Sequence, residues 1–467
     1  MTGLPLGFTV ELNRRTTVRD GGRTLIGGSP TRVMFLTKKA IGLMEGRRLV
    51  VTTPATRALA DRLIDAGMAE PIWHELPTMP GAEVTFVIPV RDRPGQLRRL
   101  LTSIGTEHAA IVVDDASSDP LTVASVAKEH GAQLIALTEN VGPATARNTG
   151  LAAVTTEFVV FVDSDVVVDP DAVPILLRHF ADPRVAVAAP RIEGLPEKRR
   201  TWIGRYEAAR SSLDLGRVSA GVRPKSPVSW VSSTFLVARV AAIGGGFESG
   251  MRVGEDVDFV WRMTEHGWRV RYEPAASVAH EHRTDLLDWM SRKAFYGTGA
   301  HELAARHPTD IAPAILAPWS AGVLLALLAQ RRWSIPVAAA IVLVTGARIA
   351  YKLRASEHPV RNAAALTANG VVSTLVQGMA LLLRHWWPAT ALLALGSRRV
   401  RRAAVVAAVA DSIIEQARVR PELDPLRFAL ARRLDDLAYG AGVWWSALRG
   451  RSATALLPHI IRRRDAS

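Results

Sequence analysis

The run Phe158-Val-Val-Phe-Val ends abruptly at Asp163-Ser164-Asp165, and no neighbouring basic residue neutralises the two carboxylates. Consecutive aromatic and β-branched residues of this kind read as a buried strand of a parallel sheet. Open α/β sheets bind ligands beyond the carboxyl ends of their strands, where this pair would stand. Two carboxylates one residue apart suit a hard divalent cation, Mg2+ or Mn2+, that also grips a diphosphate. The chemistry implied is transfer of a group off a nucleoside diphosphate. A chain of 467 residues holds an Asp-x-Asp on the order of once by chance. Taken alone, the triplet fits a solvated turn as well.

The elements that must position the triplet sharpen the choice. Residues 81–308 alternate strand and helix. The pattern predicts strands over 84–89, 110–114, 133–137, 158–162 and 185–189, with helices over 95–106, 121–130 and 144–154. Strand starts recur at roughly 21–27 residues, the spacing of βαβ crossovers, which predicts an α/β fold with a mainly parallel sheet. Polar residues collect at the predicted strand ends: Arg91 and Asp92 after the first, Asp114 and Asp115 after the second. Arg147 and Asn148 fall on the helix opened by Asn140-Val-Gly-Pro.

Composition narrows the partners. Apolar residues make up 48% of the chain, enough for a sizeable core, and there is no cysteine for a disulfide or thiolate metal site. No apolar h-region follows Met1, so a secretory leader is not expected. A net charge of +14 calls for an anionic partner. Nucleic acid is not expected, because neither a Cys/His finger nor an aromatic-basic platform is present. The basic residues cluster instead around apolar segments after residue 310, which favours a membrane lipid surface.

With these motifs in order, the middle region resembles the family 2 GT-A glycosyltransferases, the large inverting class that uses nucleotide-diphosphate sugars. The resemblance spans about half the chain. It rests on the Ile88-Pro89-Val90 opening, Val113-Asp-Asp-Ala-Ser-Ser-Asp119, Asn140-Val-Gly with Ala146-Arg-Asn148, and Asp163-Ser-Asp165. Gly245-Gly-Phe247 followed by Gly254-Glu-Asp-Val-Asp258 completes the set. Over its whole length the chain is similar to the glycosyltransferase group of the mycofactocin system. That likeness implies a glucose donor such as UDP-glucose and a small peptide-derived redox cofactor as acceptor, built into a β-linked oligosaccharide.

The same resemblance implies roles for individual residues. Asp115, with Asp114, would contact the uracil or ribose of the donor; a turn cap is the plainer role. Arg91 and Asp92 would line that nucleotide pocket, although Arg-Pro after a strand is also an ordinary turn. Arg147 would steady the diphosphate or hold the Asp-x-Asp loop. Asp165 would coordinate the cation, with Asp163 reaching the ribose or the metal through water, and His280 would complete metal or diphosphate binding. Asp256, with Glu255 beside it, would be the base that takes the acceptor's proton. Acidic residues opening a helix (256–265) also serve as caps. Trp230 and Trp261 are candidates for stacking on sugar faces, and Trp261, at helical spacing, fits the core equally well. The Gln-x-x-Arg-Trp of processive relatives is absent, which favours elongation by release and rebinding.

The flanks complete three expected domains. Residues 1–80 have the look of a small winged-helix-like, peptide-recognition-like module, with a strand at 32–36 and helices at 37–44 and 56–67; a purely structural cap on the catalytic domain fits the same pattern. Residues 309–467 form an α-helical, apolar and basic membrane-associated region, with apolar stretches at 311–329, 333–347, 363–383 and 386–397. The first and third approach the ~20 residues a bilayer requires. Read as two hairpins, they put Arg331, Arg332 and Arg384 at the far tips. The other arginines then share the cytoplasmic side of the cell membrane with the catalytic domain. Transfer to a polyprenyl phosphate, a nucleotidyltransferase, and a peptide-binding scaffold are the competing readings.

Overall fold

The computed structural model describes residues 3–196 and 201–461. The chain divides into two compact units, Met1–Lys198 with Ser211–His282, and Arg199–Arg210 with Arg283–Ser467.

The first unit is built on a nine-stranded sheet. Its strands are β1 (Val84–Val90), β2 (Ala109–Asp114), β3 (Gln133–Ala136), β4 (Phe158–Val162), β5 (Val166–Val168), β6 (Val185–Gly194), β7 (Ala220–Val222), β8 (Phe235–Arg239) and β9 (Arg269–His280). The order is β5-β9-β6-β8-β4-β1-β2-β3, with β7 paired to β9. Strand β4 is wholly buried along its length, as its unbroken apolar run requires. Three crossover helices, α1 (Pro94–Ile104), α2 (Pro120–Glu129) and α3 (Pro143–Leu151), each start on a proline. The fixed φ of proline suits the first helical position, where its missing N–H costs nothing.

The parallel expectation needs a correction. The five predicted strands and β9 all run one way, but β5, β7 and β8 run against them, so the sheet is mixed. Strand β8 inserts between β4 and β6 and pairs antiparallel to both. The carboxyl ends that matter survive this change. The register places Phe161 opposite Val87 and Val90 opposite Asp114, so β1, β2 and β4 finish at one edge.

The amino-terminal residues form two small antiparallel sheets, 9–12 between 48–50 and 69–71, and a meander of 17–19, 24–27 and 32–35. Helices Lys38–Gly42 and Pro54–Asp65 complete the module around its own apolar core. Arg269, the first residue of β9, is 8% exposed and fastens it. Its guanidinium binds Asp61 at 2.8 Å and Asp65 at 2.7 Å from the module, and Asp182 at 2.7 Å from the sheet side. Arg271 reaches Glu70 at 2.5 Å.

The second unit is helical. Two helices are long and apolar enough to cross a membrane, Ser334–Lys352 and Pro359–His385. Only 11% and 17% of their apolar windows are covered by protein, whereas a soluble core helix would be mostly buried. The first expected long stretch shortens to Pro318–Ala329, because Ile315–Leu316 is extended and pairs with His459–Ile460. The hairpin therefore shifts by one segment, and its turn carries Lys352, Arg354 and Arg361. Arg384 does not lie at a far tip: it binds Asp435 at 3.4 Å and Asp436 at 3.0 Å on helix Pro425–Arg449. The Gln330 amide donates to the Arg399 carbonyl at 2.7 Å, which brings the Arg331–Arg332 turn beside the later arginines.

Candidate active site

Asp163 and Asp165 follow β4 directly, but they face different partners. Arg147 on α3 is 2% exposed and spans two acids. Its Nη2 donates to Asp163 Oδ1 at 2.6 Å and its Nη1 to Glu255 Oε1 at 3.0 Å. Phe247 lies beneath the guanidinium, 5.3 Å from ring centroid to Cζ. Burial opposes the charge on Arg147, while Asp163 and Glu255 hold it in place.

Asp165 is gripped by Arg93, which follows β1, through Oδ2. Its Oδ1 stands 3.4 Å from His280 Nε2 at the end of β9, too far to satisfy that oxygen. Burial would raise the Asp165 carboxyl, but His280 and Arg93 together hold it well below the usual range. His280 moves the other way: burial lowers it, and Asp165 and Asp163 more than restore it. Asp165 Oδ1 and His280 Nδ1 are both buried without a hydrogen bond. A carboxylate oxygen and a ring nitrogen left without partners are donor types that a divalent cation takes. Among the described residues no three acidic or histidine side chains converge as a ready cluster. Asp163, expected to reach the ribose or the metal through water, engages Arg147 through its Oδ1.

Helix α4 (Glu255–Glu265) opens after Gly254, whose φ of 81° is open to glycine and strained for other residues. Asp256 Oδ1 accepts from the Val257 amide at 2.8 Å. Its carboxyl is pushed up to about 7, by burial first and then by the adjacent Glu255 charge. Arg147 offsets part of that rise. Asp258, one turn in, is fully buried and paired with Arg262 at 2.8 Å, a structural role.

The nucleotide-side candidates hold loops. Asp115 accepts from the Val141 amide at 2.7 Å and the Gly142 amide at 3.0 Å, fixing the Asn140-Val-Gly turn. Asp114 accepts from the Ser117 amide at 3.0 Å and its hydroxyl at 2.5 Å. Asp92, at φ 56°, accepts from the Ser118 amide and hydroxyl, both at 2.7 Å, with Arg91 3.6 Å away. The plainer turn roles are thus realised for all three, and each carboxylate keeps lone pairs for a further donor.

Trp261 is 4% exposed and donates to the Ser229 carbonyl at 2.7 Å, so it is core and no sugar platform. Trp230 is half-buried. Sequence reasoning missed Arg93 and the role of Asn148. Asn148 clips the Gly-Gly-Phe turn from both sides: its Nδ2 donates to the Phe247 carbonyl at 2.7 Å, and its Oδ1 accepts from the Phe247 amide at 2.8 Å. The signal for Arg93 was its place just past a strand end, level with Asp92.

A glycosyl transfer site built on such a sheet defines a class. Residues 85–240 match the family model described as glycosyl transferase family 2, and the chain belongs to that family and is a glycosyltransferase. Over its whole length it is similar to the pre-mycofactocin glycosyltransferase of Mycobacterium tuberculosis. The two are 43% identical over 472 residues, which is 98% of this chain and 99% of that protein. The poly-beta-1,6-N-acetyl-D-glucosamine synthase of Staphylococcus aureus is 24% identical over 42% of this chain and 48% of its own. Among solved structures, a Pyrobaculum calidifontis mannosyltransferase in complex with GDP-Man and Mn2+ covers 66% of this chain and 91% of its own. It is 20% identical, with a TM-score of 0.37.

Proposed function

We propose that the chain is an inverting glycosyltransferase that moves glucose from a nucleotide-diphosphate sugar such as UDP-glucose to pre-mycofactocin, a small peptide-derived redox cofactor. Successive transfers extend a β-linked oligosaccharide. The observation that carries this reading is 43% identity, over 98% of the chain, to a relative of that name. Asp256 is the base. Its carboxylate takes the proton of the acceptor hydroxyl as that oxygen attacks the anomeric carbon opposite the departing diphosphate. Glu255 and Arg147 set its charge environment, and Arg147 joins the base helix to the Asp163 loop. Asp165 and His280 would hold Mg2+ or Mn2+, whose chemistry when bound is Lewis-acid assistance to the leaving diphosphate. Arg91, Asp92, Asp114 and Asp115 would contact the nucleotide, and the winged-helix-like reading of the amino-terminal module belongs to the same proposal.

The exposed apolar helices support placement at the cell membrane, with the donor site on the cytoplasmic side where nucleotide sugars are. They also favour one second reading, transfer to a polyprenyl phosphate. The test is mass spectrometry of products from the purified chain given UDP-glucose, Mn2+ and the peptide-derived acceptor. Hexose additions to the soluble acceptor are expected, and Asp256→Asn should keep donor binding while losing turnover. Transfer persisting in Asp256→Asn would remove the assigned base. Hexose found only on lipid would replace the acceptor.

A further inference from the structure

Helix Arg398–Val419 is held on one side and bare on the other. Its inner face carries Ala407 and Asp411, and Arg432 and Arg433 of helix Pro425–Arg449 grip Asp411. On the outer face Val405, Val406, Val409 and Ile413 are 59%, 68%, 54% and 63% exposed. Their spacing of one, three and four residues puts them on a single stripe. Arg398, Arg401 and Arg402 stand at the head of that stripe, and with Val405 and Val406 they line a cavity of about 340 Å3. Arg401 donates to the Ala394 carbonyl at 2.7 Å. Arg398 and Arg402 meet no acid among the described residues.

A stripe this apolar is rarely left to water, and unpaired guanidinium groups beside it select an anionic surface over a neutral one. The preceding helix, Trp387–Gly396, also exposes leucines, with Leu392, Leu393 and Leu395 at 71%, 62% and 81% exposed. We propose that this face docks on the anionic headgroups of a phospholipid bilayer. The arginines meet lipid phosphates, and Val405, Val406, Val409 and Ile413 enter the acyl boundary. The inference rests on the membrane reading of the helical unit and adds to it a requirement for lipid charge.

The natural chain has no cysteine, so Val409→Cys and Ile413→Cys each carry a single nitroxide without background. The labelled full chain is placed with vesicles of phosphatidylcholine, alone or mixed with phosphatidylglycerol. Accessibility to oxygen and to a water-soluble nickel chelate is then read by electron paramagnetic resonance. Both labels should be oxygen-accessible in the anionic vesicles and nickel-accessible in the neutral ones. Replacing Arg398, Arg401 and Arg402 together by glutamine should lower the inserted-to-uninserted ratio on the order of a hundredfold, at roughly fivefold per charge. Labels that stay in water, or insert equally in neutral lipid, overturn the proposal, and so does spin–spin broadening from a second copy. Chain that still floats with the vesicles while its labels stay in water sinks this inference alone. Chain that floats with neither lipid sinks the membrane reading beneath it.

Discussion

At Asp256 a half-buried carboxylate stands beside Glu255, and the proton is kept to about pH 7. A base must be ionised to act, so the protonated form below that pH is idle. With the base alone in control, kcat/KM should climb by about tenfold per pH unit as pH rises toward 7, then level off. Glu255→Gln removes the like charge and leaves Arg147 free to favour the Asp256 anion. The acid limb of the pH–rate profile should then move to lower pH, and an unmoved limb would separate Glu255 from the base. Asp165→Ala should weaken donor binding in the presence of Mn2+ and leave the cation-free baseline unchanged, as read by calorimetry. The acids were legible in the chain because their types and places at strand ends suffice. Of their partners, Arg147 on the Asp-x-Asp loop was expected, and Arg93 on Asp165 and Arg147 on Glu255 were not. Arg147 and Glu255 are 108 positions apart, and only the folded sheet brings them together.

The Gly245-Gly246-Phe247 turn, clipped by Asn148, packs on the helix that carries Asp256: Phe247 stacks on Phe259, and Arg262 donates to the Gly246 carbonyl at 2.7 Å. Gly246 has φ 79°, and a Cβ there would stand 2.4 Å from Asn148 Oδ1. Gly246→Ala should therefore open the clip through both backbone strain and direct overlap. Asn148→Ala leaves a buried backbone amide and carbonyl without their bonds, a local loss of roughly 1–3 kcal/mol. The expected reading is a fall in kcat with donor affinity retained, since the loops proposed to meet the donor are pinned separately by Asp92, Asp114 and Asp115. Equal losses in both constants would place the turn in donor binding. Strands β2, β3 and β4 were readable because each follows a crossover helix with its own proline start. Strands β5, β7 and β8 were not, being short and antiparallel, with no crossover period to announce them. In the apolar tail, hydropathy found the segments, but Ile315–Leu316 took a strand partner more than a hundred residues away and displaced the expected hairpin.

Across the molecule, buried charge ties distant segments together. In the helical unit Asp435 is 2% exposed and receives the Tyr206 hydroxyl at 3.1 Å, with Arg384 and Arg210 beside it. Burial would raise its carboxyl, yet Lys293, Arg384, Arg210 and Arg432 hold it well below the usual range. A depressed carboxyl stabilises fully above its unfolded pKa and loses that contribution as pH falls toward the folded value, so acid should loosen this unit. Asp435→Ala strands several arginines and should cost about 3–5 kcal/mol, seen as earlier thermal denaturation in detergent. In the other unit, Arg269 has a practical corollary for anyone trimming the chain. A fragment starting at residue 81 would strip the guanidinium of Asp61 and Asp65 and leave Asp182 as its remaining acid. Such a fragment should express poorly, whereas the intact amino-terminal portion should melt with the sheet as a single calorimetric peak.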